Sequence, residues 1–291
     1  MAVIQYCTER AATTYLNICN MYIYTCPGQL HSRHFCRSPI YCTMTVKPLI
    51  YILHGSWHGP AGFDTVKSKL EDLGYTVVCP QQPSTGATPP TKTMYDDAEF
   101  VRGELKSLAD QGHDILLVMH SYGGVVGTQA AAGLGKTERQ KKGQKGGIVR
   151  LFYACAFILP VGHHLCDAVG GQLAPFIKAE EDGSCHVMNP EQVFYQDLPV
   201  DQQRHWSSQL KPQTTICQFN PVTRIAYKDI PVSYLYCEND QALPLSMQRR
   251  MVKECGVKVQ EFTCTAGHSP FLSQPETFVD FVVTASETIE S

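Results

Sequence analysis

Ile115-Leu116-Leu117-Val118-Met119-His120-Ser121-Tyr122-Gly123-Gly124 is the stretch whose reading decides the fold. Its first four residues form a short apolar run of β-branched and leucine side chains, the pattern of a strand buried on both faces. Residues 125–132 continue with alanines and valines and read as a helix. A serine on a tight turn between a buried strand and a helix is held with its hydroxyl exposed at the sheet's edge, the geometry of a nucleophile elbow. One letter departs from the usual G-x-S-x-G: Met119 stands where the first glycine is expected.

Working outward, strand and helix signals alternate with short connections from residue 44 onward, which predicts a parallel sheet covered on both faces. Six strands are expected, over residues 48–54, 76–79, 114–120, 148–157, 231–237 and 257–264. Residues 93–111 place Ala98, Val101, Leu105 and Leu108 on one helical face, with Asp96 and Asp97 near the positive N-terminal end. Residues 275–287 open with a proline in the first turn and carry Phe278, Phe281 and Val282. Two segments break the rhythm. Residues 133–147 mix five cations with glycines and read as an exposed, solvated loop. Residues 159–227 are too long for a structureless loop in a compact domain and read as an inserted, mostly helical cap. The expected organisation is therefore a core of residues 44–158 and 228–291 with a cap at 159–227.

Residues 1–43 differ from the rest. They lack the apolar core of a secretory signal and weakly echo a transit peptide; the simpler reading is a disordered tail or a gene-model artefact preceding a true start at Met44. Of the 13 cysteines, five fall in this segment, and the others are scattered with no C-x-x-C pair, so zinc and thioredoxin-type chemistry are unsupported. Scattered cysteines in apolar runs behave as small hydrophobes and favour a reducing, cytoplasmic setting. A net charge of −3 gives no field that suggests nucleic acid or an anionic membrane. No apolar run approaches the roughly 20 residues of a spanning helix.

A serine hydroxyl needs an adjacent base, itself oriented by an acid. After Ser121, the strand ending at Cys237 is followed by Glu238-Asn239-Asp240, and the strand ending at Cys264 by Gly267-His268-Ser269-Pro270. Ser121, Asp240 and His268 thus all lie just beyond C-terminal strand ends, the rim on which open α/β sheets place their sites. They are the expected nucleophile, orienting acid and base. Glu238 is the rival for Asp240, which could alternatively cap the helix that begins near Pro244. The expected oxyanion donors are the N–H of Tyr122, which follows the nucleophile, and that of Ser56, in the turn His54-Gly55-Ser56-Trp57-His58-Gly59. Trp57 is expected to wall the substrate pocket. His54 and His120 read as structural donors to nearby carbonyls, His163 and His164 as solvated, and no histidine spacing marks a metal site.

Together these residues resemble the α/β-hydrolase superfamily over residues 46–285, and within it the small esterase and hydroxynitrile-lyase group, most like fungal members found beside polyketide and other secondary-metabolite pathways. The resemblance implies six parallel strands, a lid between the fourth and fifth, no cofactor, and a small ester, lactone or thioester as substrate for a monomer or homodimer. Hydroxynitrile lyases of the group carry lysine after the catalytic histidine; Ser269 stands here and argues against that activity. Carbon–carbon cleavage, other non-hydrolytic chemistry on the same residues, and a hormone-receptor role are the remaining alternatives.

Overall fold

The computed structural model of the protein describes residues 47–288. The expectations for residues 1–43 and for a start at Met44 lie outside these residues.

Strands β1 (Leu49–Leu53), β2 (Val77–Val78), β3 (Asp114–His120) and β4 (Gly147–Ala154) come first. An excursion with β5 (Ile177–Ala179), β6 (Ser184–Val187) and β7 (Gln213–Thr214) follows, and then β8 (Val232–Cys237) and β9 (Val259–Cys264). Six of these form one sheet in the order β2-β1-β3-β4-β8-β9, and every pairing in it is parallel.

Strand alternation splits the interior into two cores, one on each face of the sheet. Tyr51, Leu53, Ile115, Leu117 and Met119 point to one side, and Ile50, Ile52, Leu116, Val118 and Phe152 to the other. On the second face lie α1 (Asp64–Asp72), through Val66 and Leu70, and the C-terminal helix. On the first face lies α2 (Met94–Asp110), with Ala98, Val101 and Leu105 buried. A capping box opens α2: Thr93 accepts from the Asp96 N–H while the Asp96 carboxylate accepts from the Thr93 N–H. The fully buried helix α3 (Gly123–Ala131) packs beside α2, so its apolar character is not confined to one face.

Residues 133–147, expected as a loop, contain the helix α4 (Lys136–Lys141). Lys141 faces solvent and Lys136 is half-buried against Asp114, while Arg139 is buried and donates to Asp110 at 2.7 Å and to the carbonyls of Lys145 and Gly146. A charge-rich composition concealed one arginine that pins the segment to the end of α2.

The excursion between β4 and β8 holds α5 (Leu165–Ala168), α6 (Pro190–Phe194) and α7 (Val200–Ser208). It also holds the antiparallel sheet β5-β6-β7, which the expectation of a mostly helical cap did not include. These strands are two to four residues long, too short for alternation to be legible. After β8, α8 (Leu245–Cys255) covers the first face, and α9 (Pro270–Ser273) and α10 (Pro275–Glu287) close the second. Among the described residues no helix is long and apolar enough to cross a membrane.

Candidate active site

Ser121 sits between β3 and α3 with φ +53°, a left-handed backbone that an L-residue adopts only where its surroundings enforce it. Here its carbonyl accepts from the N–H groups of Gly124 at 3.0 Å and Phe157 at 3.1 Å. Three glycines let other backbone crowd the turn. A Cβ on Gly55 would lie 2.9 Å from the Ser121 Cβ, one on Gly123 2.8 Å from the Leu53 carbonyl, and one on Gly124 2.2 Å from the Phe157 carbonyl.

The loops after β8 and β9 bring Asp240 and His268 to this turn. His268 Nε2 lies 3.0 Å from Ser121 Oγ, and its Nδ1 lies 2.8 Å from Asp240 Oδ2. With the Nδ1 proton donated to the carboxylate, Nε2 is left as an acceptor facing the serine hydroxyl. Asp240 does not cap α8, whose N-cap is Pro244 with no side-chain cap bond, but it does close the turn that leads to that helix. Its Oδ1 accepts from the N–H groups of Ala242 and Leu243, both at 2.8 Å, so one oxygen holds the turn and the other faces His268. Glu238 is exposed, and it is Asp240 that meets His268. Gln248 from α8 braces the Asp240 loop by holding both the N–H and the carbonyl of Cys237.

The turn after β1 places Ser56 and Trp57 over Ser121. Among the described residues, the N–H groups of Ser56 and Tyr122 have no hydrogen-bond acceptor, and buried donors are rarely left so. Tyr122 is anchored from below, its hydroxyl donating to Asp97 Oδ2 at 2.6 Å. Ser84 adds its hydroxyl at 2.6 Å and its N–H at 2.7 Å to the same carboxylate. Burial nonetheless pushes the Asp97 carboxyl up to about 6, the three donors offsetting only part of the desolvation.

Above the serine is a narrow, largely apolar chamber with about 30 Å³ of free volume. Trp57 stacks on Phe194 (6.0 Å, 29°), and Phe194 stacks on the His268 ring (5.3 Å, 27°). Trp57 is tied to the excursion by its Nε1–H, which donates to the Cys185 carbonyl. His58 bridges the Ser56 carbonyl and the Tyr195 hydroxyl at 2.7 and 3.0 Å. Burial lowers His54 to about 4 and His58 to about 3 and holds His120 well below its ordinary value, so all three are neutral at pH 7. His54 meets the Gly55 carbonyl and His120 the His268 carbonyl, as expected of structural donors. His163 is exposed and His164 half-buried, both near Asp167.

Ligand atoms of His120, Cys155 and His268 lie within 4.8 Å of one another, close enough for a metal. Most are already committed: His120 Nε2 and Cys155 Sγ to the His268 carbonyl, and both His268 ring nitrogens to Asp240 and Ser121.

Sequence reasoning missed the contributions of Phe194, Asp97 and Asp197, whose carboxylate accepts from the Gly267 N–H at 2.7 Å and steadies the histidine loop. Only the acidic pair opening α2 carried a signal, and it read as helix-end charge.

The alpha/beta hydrolase family profile matches residues 50–281. The chain therefore belongs to the alpha/beta hydrolase family. It is 33% identical over 254 residues to the alpha/beta hydrolase nvfD of Aspergillus novofumigatus, covering 84% of this chain and 99% of that one. It is 30% identical to a probable hydrolase, R7, of a Phoma species, over 81% of this chain and 97% of that one. Among solved structures, a pyrethroid hydrolase from Sphingobium faniae superposes with a TM-score of 0.68 at 21% identity, covering 83% of this chain and 98% of that one. That likeness concerns the fold.

Proposed function

We propose that this protein is a serine hydrolase that cleaves a small ester, lactone or thioester through an acyl-enzyme, with Ser121, His268 and Asp240 as its catalytic residues. The observation that carries the reading is the buried hydrogen-bonded chain from Ser121 Oγ to His268 to Asp240, at 3.0 and 2.8 Å, opening into an apolar chamber.

Ser121 Oγ attacks the substrate carbonyl as His268 Nε2 takes its proton, and the electron pair moves onto the carbonyl oxygen. The N–H groups of Ser56 and Tyr122 receive that oxyanion, each donor contributing about 3–4 kcal/mol in comparable sites. Asp240 stabilises the imidazolium and fixes its tautomer. His268 then protonates the departing alcohol or thiol, leaving the acyl group on Ser121. Water, deprotonated by the same histidine, releases the acid. Every group the sequence of steps needs is supplied by the chain, so the proposed reaction uses no cofactor.

In the same reading, residues 159–227 act as a cap over a core of 44–158 and 228–291, and Trp57 walls the substrate site. The hydrolase names of the fungal relatives nvfD and R7 support the reaction class. A polyketide-type metabolite as substrate rests on the resemblance of the motifs. A cytoplasmic setting fits the unpaired state of all the described cysteines, and action on small molecules as a monomer or homodimer rests on the resemblance.

A fluorophosphonate probe should label the wild type and spare Ser121→Ala; labelling that survives the substitution sinks the nucleophile assignment. Turnover of candidate esters in heavy-oxygen water should place the label in the acid product. Turnover without label would show a non-hydrolytic reaction on the same residues.

A further inference from the structure

The chamber over Ser121 is nearly full, since a single water needs about 10–15 Å³ and the chamber offers about 30 Å³. Beside it lies a second cavity of about 660 Å³, within the range of small-molecule sites. Val169, Ala174, Phe176 and Ala242 line both, so a single layer of side chains separates them. Gly170 and Gly171, at φ +103° and +87°, interrupt that wall, and a Cβ on either would meet nothing within 4 Å. The wall is therefore interrupted there by two residues without side chains, in backbone conformations that favour glycine.

The two cavities differ in chemistry. The inner one is aromatic and aliphatic. The outer one presents the amides of Asn189, Gln192 and Gln241 and one charged group, Arg250 from α8, and no carboxylate lines it. Arg250 donates through one terminal nitrogen to the Ala168 carbonyl at α5, which holds the guanidinium where this cavity meets a neighbouring groove. Among the described residues it makes no ion pair. Arg250 also borders a neighbouring groove that holds Asp167 and Glu254, neither of which is ion-paired to it, and Asp167 is near His163 and His164. An unneutralised guanidinium offers a planar fork matched to carboxylate or phosphate oxygens.

We propose that the outer cavity is the second half of the substrate site and that Arg250 binds an anionic oxygen group, carboxylate or phosphate, on the part of the substrate that projects away from Ser121. This rests on the proposed serine hydrolase. The compact apolar part of the substrate occupies the inner chamber, and the chain joining the two passes between Val169 and Phe176.

The test uses three fluorophosphonates that share one short alkyl group and differ only at the tip of the second arm: carboxamide, carboxylate or phosphate. The reading is the rate of Ser121 labelling. In the wild type an anionic tip should label about fivefold faster than the carboxamide, the size expected of a rim charge pair. The advantage should shrink in 0.5 M salt, disappear in Arg250→Gln and reverse in Arg250→Glu. Whichever anionic tip is faster identifies the group that is read. Equal rates for all tips in the wild type overturn the proposal while leaving the nucleophile intact, and an advantage that persists in Arg250→Gln removes Arg250 from it. No labelling by any probe rejects the serine hydrolase itself, and this inference with it.

Discussion

Met119 and Gly127 occupy one shared space at the crossing of β3 and α3: a Cβ placed on Gly127 would lie 2.3 Å from the Met119 sulfur. Methionine stands where the elbow motif expects glycine, and a glycine two helical turns' worth of chain later supplies the room it needs. Helix and strand still approach closely because the bulk has been moved, not added.

Gly127→Ala should therefore destabilise the protein by about 1–2 kcal/mol, overpacking outweighing the helix-propensity gain of alanine. In a Met119→Ala background the same change should be neutral or stabilising, a coupling that urea denaturation of the four variants reads directly. Additive effects would show that the two residues do not share the space.

Gly55→Ala tests how tightly the turn after β1 is held against Ser121. The new Cβ would meet the Ser121 Cβ at 2.9 Å and His120 Nδ1 at 3.0 Å, so the serine must shift. Fluorophosphonate labelling should slow by on the order of 10²-fold while the far-ultraviolet circular dichroism is retained. Labelling at the wild-type rate would mean that the contact yields at no cost to the site.

Asp240→Asn keeps the shape of the side chain but removes the charge opposite the imidazole. If Asp240 orients His268, kcat should fall by on the order of 10⁴. The Glu238→Gln variant, altering an exposed side chain, should stay within a few-fold of wild type. A large loss in the second variant and a small one in the first would exchange their roles.

Acid stability follows from four buried groups with opposite signs. His54, lowered to about 4, and His58, lowered to about 3, bind fewer protons in the folded than in the unfolded chain once the pH drops below 6.5. Their stabilisation is complete above pH 6.5 and is lost as the pH falls toward those values, and His120 acts in the same direction. Asp97, raised from 3.8 to about 6, does the reverse: the folded state binds more protons in that window, so its contribution grows as the pH falls. Three histidines outweigh one carboxyl, and the urea midpoint should decline below pH 6.5. In Asp97→Asn, where the opposing group is gone, the decline between pH 6 and pH 4 should be steeper. A variant profile parallel to the wild type would contradict this balance.

Much of the fold and the candidate site was legible because the signals are local. The apolar run before Ser121, the turn glycines after it, and the acid and histidine just beyond two further strand ends each depend on neighbours within a few residues. The same locality explains the errors. Arg139 looked like one more solvated cation, because its partner Asp110 belongs to another helix. The strands β5 to β7 were too short to show a period at all.

The sequence by itself determined the parallel sheet, the order of the serine, acid and histidine, and the rim on which all three stand, since periodicity and turn chemistry are written within each segment. Only the tertiary structure decided what surrounds them. Phe194 against His268, Tyr195 on His58 and Asp197 under the histidine loop join the excursion to the core across contacts spanning 137 residues of chain for Tyr195 and 70 for Asp197. The thin wall between the two cavities is likewise a product of chain closure. Its thickness depends on how the segment between α5 and β5 meets the turn after β8, a sum of many weak contacts that no single segment encodes.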